Sequence, residues 1–151
     1  MICLRIFLAL FCLAGTGLGA EQATAKIIKV LPQFLDREGR NSTAPSLYAR
    51  DAYQAMLRNR PNLRSGMQFA VQWKAHNLKT LSLRVEMRGM RTNEATTATL
   101  EMPVSKHGWF STWSNAILEG DKYKEFGDLR AWRVTLWNGN EQLAEQTSFL
   151  W

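Results

Sequence analysis

The stretch Gly66-Met67-Gln68-Phe69-Ala70-Val71-Gln72-Trp73-Lys74-Ala75-His76 decides the fold class. Met67, Phe69, Val71, Trp73 and Ala75 alternate with Gln68, Ala70, Gln72 and Lys74, so every second side chain seeks a dry interior. A period of two is the mark of a half-buried strand. Leu81, Leu83, Val85 and Met87 repeat the pattern against Ser82, Arg84, Glu86 and Arg88. The connection His76-Asn77-Leu78-Lys79 is short enough for a hairpin between the two strands.

Further strands follow on the C-terminal side. Ala95–Val104 is threonine-rich with Ala98, Leu100 and Met102 on one face, and Trp109–Leu118 follows a turn at His107-Gly108. Glu119–Asp128, with Gly120 and Gly127, reads as a linker. Leu129–Trp137 and Gln142–Leu150 flank Asn138-Gly139-Asn140-Glu141, where Asn-Gly suits the positive φ angles of a tight hairpin. Trp132, Val134 and Leu136 form one face of the first of these strands.

On the N-terminal side, Ala25–Asp36 reads as a strand interrupted by Pro32, which has no N–H to give a ladder and so belongs at an edge or a bulge. Between it and Gly66 the period changes. A helix is expected at about 46–60, with Ser46 or Thr43 as its N-cap and Pro61 ending it. Tyr48, Ala52, Ala55 and Met56 make its apolar stripe, while Arg50, Gln54 and Arg58 line a polar face. About seven strands, frequent turns and one helix indicate a mainly β chain, an antiparallel immunoglobulin-like sandwich with one inserted α-helix.

The first twenty residues are of a different kind. Arg5 precedes the apolar run from Ile6 to Ala14, and small residues follow up to Ala20. Charge, apolar run and small residues in that order describe a secretory signal peptide over 1–20, with cleavage as late as residue 25 also compatible. The expected location is periplasmic or secreted, with residues 21–151 forming one domain. Cys3 and Cys12 both lie in the signal, so the mature domain has no thiol for a disulfide, a zinc site or a nucleophile. It must hold together by packing.

The chain carries a formal net charge of +6. Arg50, Arg58, Arg60 and Arg64 fall close together, with Arg37 and Arg40 upstream, and offer a patch for an anionic partner. The competing reading is a solvated helix face, facing the acidic cluster Glu119, Asp121, Glu125 and Asp128 of the same chain. Contact with a membrane surface is the weaker use of such a patch, and export argues against nucleic acid as a partner.

No motif for catalysis, metal or cofactor stands out. His76 and His107 each sit beside a turn with no short-range metal spacing, and there is no Gly-x-Ser-x-Gly elbow. No catalytic residue, metal ligand or cofactor is assigned. Tryptophan is the unusual component, with six residues. Trp73 and Trp132 fall on apolar strand faces and belong to the core. Trp109, Trp113 and Trp137 are candidate ligand-binding residues, through stacking on sugar rings or anchoring a protein; otherwise they form a second sheet face covered by the helix.

The final hairpin, Trp132-Arg133-Val134-Thr135-Leu136-Trp137-Asn138-Gly139-Asn140 with Leu143-Ala144-Glu145 and Phe149, resembles the closing strands of immunoglobulin-like and fibronectin type III-like modules in exported bacterial proteins. The whole mature chain resembles small uncharacterised secreted bacterial proteins that share a strand like Lys29-Val30-Leu31-Pro32 and a helix like Arg50-Asp51-Ala52-Tyr53-Gln54. The expectation is an exported, non-enzymatic binding or assembly module of the cell envelope whose partner is an envelope protein or a glycan. A carbohydrate-binding domain using exposed tryptophans and a small hydrolase with a nonlocal site are the alternatives.

Overall fold

The computed structural model describes residues 24–78, 80–107 and 110–151. The expected signal segment and Trp109 lie outside the described residues. Seven strands form two antiparallel sheets: β1 (Thr24–Asp36), β2 (Arg64–His76) and β5 (Thr112–Glu119) in the order β1-β2-β5, and β3 (Thr80–Arg91), β4 (Glu94–Ser105), β6 (Asp128–Asn138) and β7 (Glu141–Thr147) in the order β4-β3-β6-β7. The mainly β, two-layer reading holds.

The alternating residues meet between the layers. Phe69, Val71 and Trp73 of β2 are fully buried with Leu83 and Val85 of β3 and Val134 and Leu136 of β6. Trp132 is only partly buried and packs its ring edge-on to Phe69, with centroids 6.3 Å apart. Burial of such side chains contributes about 1.5–3 kcal/mol each, which is how a domain without disulfides is held. β1 lies beside β7 on one side of the sandwich, and β4 lies beside β5 on the other.

The β2–β3 connection corrects the sequence reading. β2 pairs with β1 and β5, whereas β3 pairs with β4 and β6, so β2 and β3 belong to different sheets and do not form a hairpin. Alternation specifies which face is dry, and both strands obey it equally whether they are neighbours in one sheet or face each other across the core. The true hairpin after β3 turns at Thr92-Asn93, both with positive φ (46° and 68°). At the β6–β7 hairpin the central residues are Gly139 and Asn140, and only Gly139 has positive φ (57°), the pattern of a II′ turn.

Helix α1 (Leu47–Asn59) matches the expected span, and Ser46 caps it, its Oγ accepting from the Ala49 N–H at 3.1 Å. Its buried face differs from the expected stripe. Tyr48, Ala52 and Ala55 are exposed, while Leu57 is fully buried and Tyr53 and Gln54 are half-buried. The helix docks on the edge of β1 chiefly through polar groups, so an apolar-stripe criterion selects the wrong side. The expected linker contains a second helix, α2 (Gly120–Phe126), which sends Phe126 into the core at 2 % exposure. Seven residues make too short a periodic signal to read against two flanking glycines.

Pro32 lies in β1, in register with Phe69, and β1 is an edge strand, where a residue without an N–H is tolerated.

Candidate functional site

Each side of the sandwich ends in two edge strands, and the two sides differ. On the β1 side the carboxamide of Gln54 faces the edge backbone: Oε1 accepts from the Phe34 N–H at 2.8 Å and Nε2 donates to the Phe34 carbonyl at 2.9 Å. Gln54 Nε2 also donates to the Asn41 carbonyl at 2.8 Å. The side chain stands in for a neighbouring strand at the point where β1 would otherwise offer an open pair of groups. Below it, Asp36 is 5 % exposed. Its Oδ1 accepts from the backbone N–H groups of Glu38 and Arg40, and its Oδ2 from Arg40 Nε at 2.9 Å and the Tyr53 hydroxyl at 2.6 Å. Burial pushes this carboxyl up, yet the hydrogen bonds from Tyr53, Arg40 and Glu38 outweigh it and hold Asp36 well below the usual carboxylate range. The same bond to Asp36, with burial, raises the Tyr53 phenol.

On the opposite side, β4 and β5 flank an open cleft of about 430 Å³, lined by Thr96–Leu100 of β4, Leu118 of β5, and Lys122, Glu125 and Phe126 of α2. Among the described residues the backbone of β4 pairs with β3 alone. The one fastening near its start is a side-chain bond, Thr96 Oγ1 to the Phe126 carbonyl at 2.5 Å. Ala98, Leu100 and Met102 point inward but stay half-buried, because no further strand covers them among the described residues. β5 adds an apolar rim: Trp113 is 49 % exposed and Ile117, four residues on along the same face, is 45 % exposed.

Trp137 lies on the outer face of the other sheet, so it and Trp113 share no platform. Its Nε1 donates to Thr135 Oγ1 at 2.8 Å, and the Arg84 guanidinium lies 4.9 Å from the ring centroid. Arg84 also pairs with Glu101, whose other oxygen accepts from Ser82 Oγ at 2.9 Å. Further along the same face Glu86 and Arg133 form a two-pronged pair at 2.7 and 2.9 Å, and Arg133 and Arg88 both lie over the Trp151 ring. The bond from Arg133 keeps the Glu86 carboxyl below its ordinary value against the effect of burial. Aromatic rings and guanidinium groups thus cover this face; exposed contacts of this type contribute about 0.5–1 kcal/mol each.

The arginine patch is divided. Arg58 and Arg60 are exposed and Arg50 is half-buried. Arg64 is engaged within the fold, with its side chain 6 % exposed. Its Nε donates to the Leu57 carbonyl at 2.6 Å, its Nη2 to the Arg58 carbonyl, and its Nη1 reaches Asp128 at 3.4 Å. The guanidinium also lies 4.0 Å from the Phe34 ring centroid. Arg64 therefore closes the C-terminal end of α1, where unpaired carbonyls attract a cation, and it meets one residue of the acidic cluster, as the solvated-face reading allowed. No local sequence signal marks this role, since its partners come from β1, α1 and β6.

His76 and His107 are both exposed. Among the described residues no group of three or more His, Cys, Asp or Glu side chains is placed to hold a metal ion. No family model matches the chain, and neither a curated protein nor a solved structure matches it.

Proposed function

We propose that this chain is an exported, non-enzymatic binding or assembly module of the bacterial cell envelope, and that its partner is a protein segment that adds as a strand along β4. One observation carries the reading: on β1 the Gln54 carboxamide takes both backbone groups of Phe34, whereas on β4 the stretch from Glu94 to Met102, ahead of Pro103, has no such partner on its outer side among the described residues. A long, unguarded edge is a template for strand addition. The half-buried Ala98 and Leu100 offer apolar contacts to alternate side chains of an incoming strand, and Trp113 and Ile117 extend the apolar surface at the neighbouring edge.

The immunoglobulin-like reading is supported by strand order. The first, second and fifth strands share one sheet and the third, sixth and seventh share the other, as in immunoglobulin-like domains. β4 pairs with β3, and α1 is inserted in the first connection. Export is supported by the charge and apolar pattern of residues 1–20.

The test uses the absence of cysteine after residue 12. A photoactivatable crosslinker on Thr97→Cys marks the β4 edge, and one on Lys29→Cys marks β1. Expression of the full chain in a Gram-negative host should give an envelope-localised protein with a discrete crosslinked partner from position 97 only. Retention in the cytoplasm, or identical products from both edges, overturns the proposal.

A further inference from the structure

A second concave surface lies at one end of the four-stranded sheet, separate from the cleft beside α2. It is a groove of about 380 Å³ between the β6–β7 turn and the end of β4, lined by Trp137, Gly139, Thr80, Ser82, Glu101 and Pro103 among others. That volume is in the range of small-ligand clefts, about 300–1,000 Å³. We propose that this groove is a subsite for a neutral pyranose sugar, with Trp137 as its stacking platform. The inference does not depend on strand addition at β4.

The register fixes how the indole is presented. Trp137 is level with Ser82, Arg84 is level with Thr135, and Thr80 lies one step further on the other side. Arg84 therefore approaches the ring from one direction and the groove opens in the other. The indole N–H is already given to Thr135. Trp137 is thus locked in place and offers its ligand an apolar face with no donor.

The polar groups around it are mostly acceptors, with the Thr80 hydroxyl able to donate as well as accept. The Glu101 carboxylate is held from two sides, by Ser82 Oγ on Oε1 and Arg84 on Oε2, and each oxygen keeps lone-pair capacity. Ser82 Oγ spends its proton on Glu101 and is left as an acceptor. A complementary ligand needs a C–H face to lie on the indole and several hydroxyl donors at its rim. A pyranose ring has both. A carboxylate-bearing sugar would bring a second negative charge beside Glu101, so neutral sugars are preferred. Because the partners are fixed before binding, little ordering cost falls on the complex.

The proposal is tested by titrating the ¹⁵N-labelled protein with cellotetraose and chitotetraose, and with tetragalacturonate as the acidic counterpart. The Trp137 indole N–H, assigned through Trp137→Phe, should shift together with the amides of residues 80–82, 101 and 102 at millimolar neutral sugar. Trp137→Ala should weaken binding by about tenfold or more, Glu101→Gln should weaken it measurably, and Trp113→Ala should leave it unchanged. Tetragalacturonate should bind more weakly than either neutral sugar. Should Trp137→Ala fail to fold, Glu101→Gln and Ser82→Ala retain the ring and decide the matter. No response to either neutral oligosaccharide, shifts that centre on Trp113, or unchanged affinity in Glu101→Gln overturns the proposal.

Discussion

The carboxamide of Gln54 brackets the backbone of Phe34, accepting from its N–H at 2.8 Å and donating to its carbonyl at 2.9 Å. One helical side chain thereby fastens α1 to the sheet and occupies the edge groups of β1 at Phe34. Replacing Gln54 by Leu removes these two bonds and the one to the Asn41 carbonyl, and leaves two edge groups of Phe34 unpaired. The expected loss of stability is about 1–3 kcal/mol, read by urea denaturation. Self-association should rise as well, because the edge is uncovered; light scattering that stays monomeric at high concentration would separate the fastening role from the guarding role.

Arg64 is the second fastening of α1. It joins the Leu57 and Arg58 carbonyls, Asp128 and the Phe34 ring through one planar group. Arg64→Lys keeps the charge but cannot reach two carbonyls with a rigid fork. Both Arg64→Lys and Arg64→Met should lower stability, by about 1.5–3 kcal/mol for Met, and amide exchange should accelerate first in the last turn of α1. Equal stability of the Lys variant and the parent would show that charge alone matters there.

The Asp36 carboxyl is depressed in the folded chain relative to about 3.9 when unfolded. Its contribution is therefore present above the unfolded value and is lost as pH falls through the folded one. Tyr53 has the opposite sense: its phenol is raised, so its contribution holds at neutral pH and disappears in strong alkali. Stability measured from about pH 6 down to about pH 2 should fall less steeply in Asp36→Asn than in the parent. Tyr53→Phe should flatten both limbs. Parallel acid profiles for parent and Asp36→Asn would contradict the assignment, with Glu86, also depressed, as the next source of acid sensitivity.

Gly89 sits in β3 where the register with β6 shifts, and a Cβ there would lie 2.7 Å from the Phe126 ring and 2.7 Å from Thr96 Oγ1. The absent side chain makes room for α2 to deliver Phe126 into the core. Gly89→Ala should cost about 1–3 kcal/mol through overpacking. Combining it with Phe126→Leu should recover part of that loss in a double-mutant cycle, whereas simple additivity would show that the two positions do not meet.

The boundary between legible and illegible features follows the range of the interactions. Ser46 as helix cap, Pro32 on an edge strand and the faces of β2, β3, β4 and β6 could be read locally because each depends on neighbours one to four residues away. Gln54 reads from sequence only as part of a polar helix face and Arg64 only as part of an arginine patch, because their partners lie up to 20 and 64 residues distant. Tryptophan content pointed to Trp137, yet Glu101 and Ser82 beside it carry no sequence signal, since β3–β4 pairing brings them together from 19 residues apart.

From its residues alone this chain was bound to bury alternate side chains in a two-layer β structure, because a period of two leaves one dry face per strand and no cysteine after residue 12 supplies another hold. Which strands share a sheet, and that Gln54 meets the backbone of Phe34, were decided only in three dimensions. Apolar burial is indifferent to the identity of its neighbours, whereas hydrogen bonds between distant segments are directional and select one arrangement.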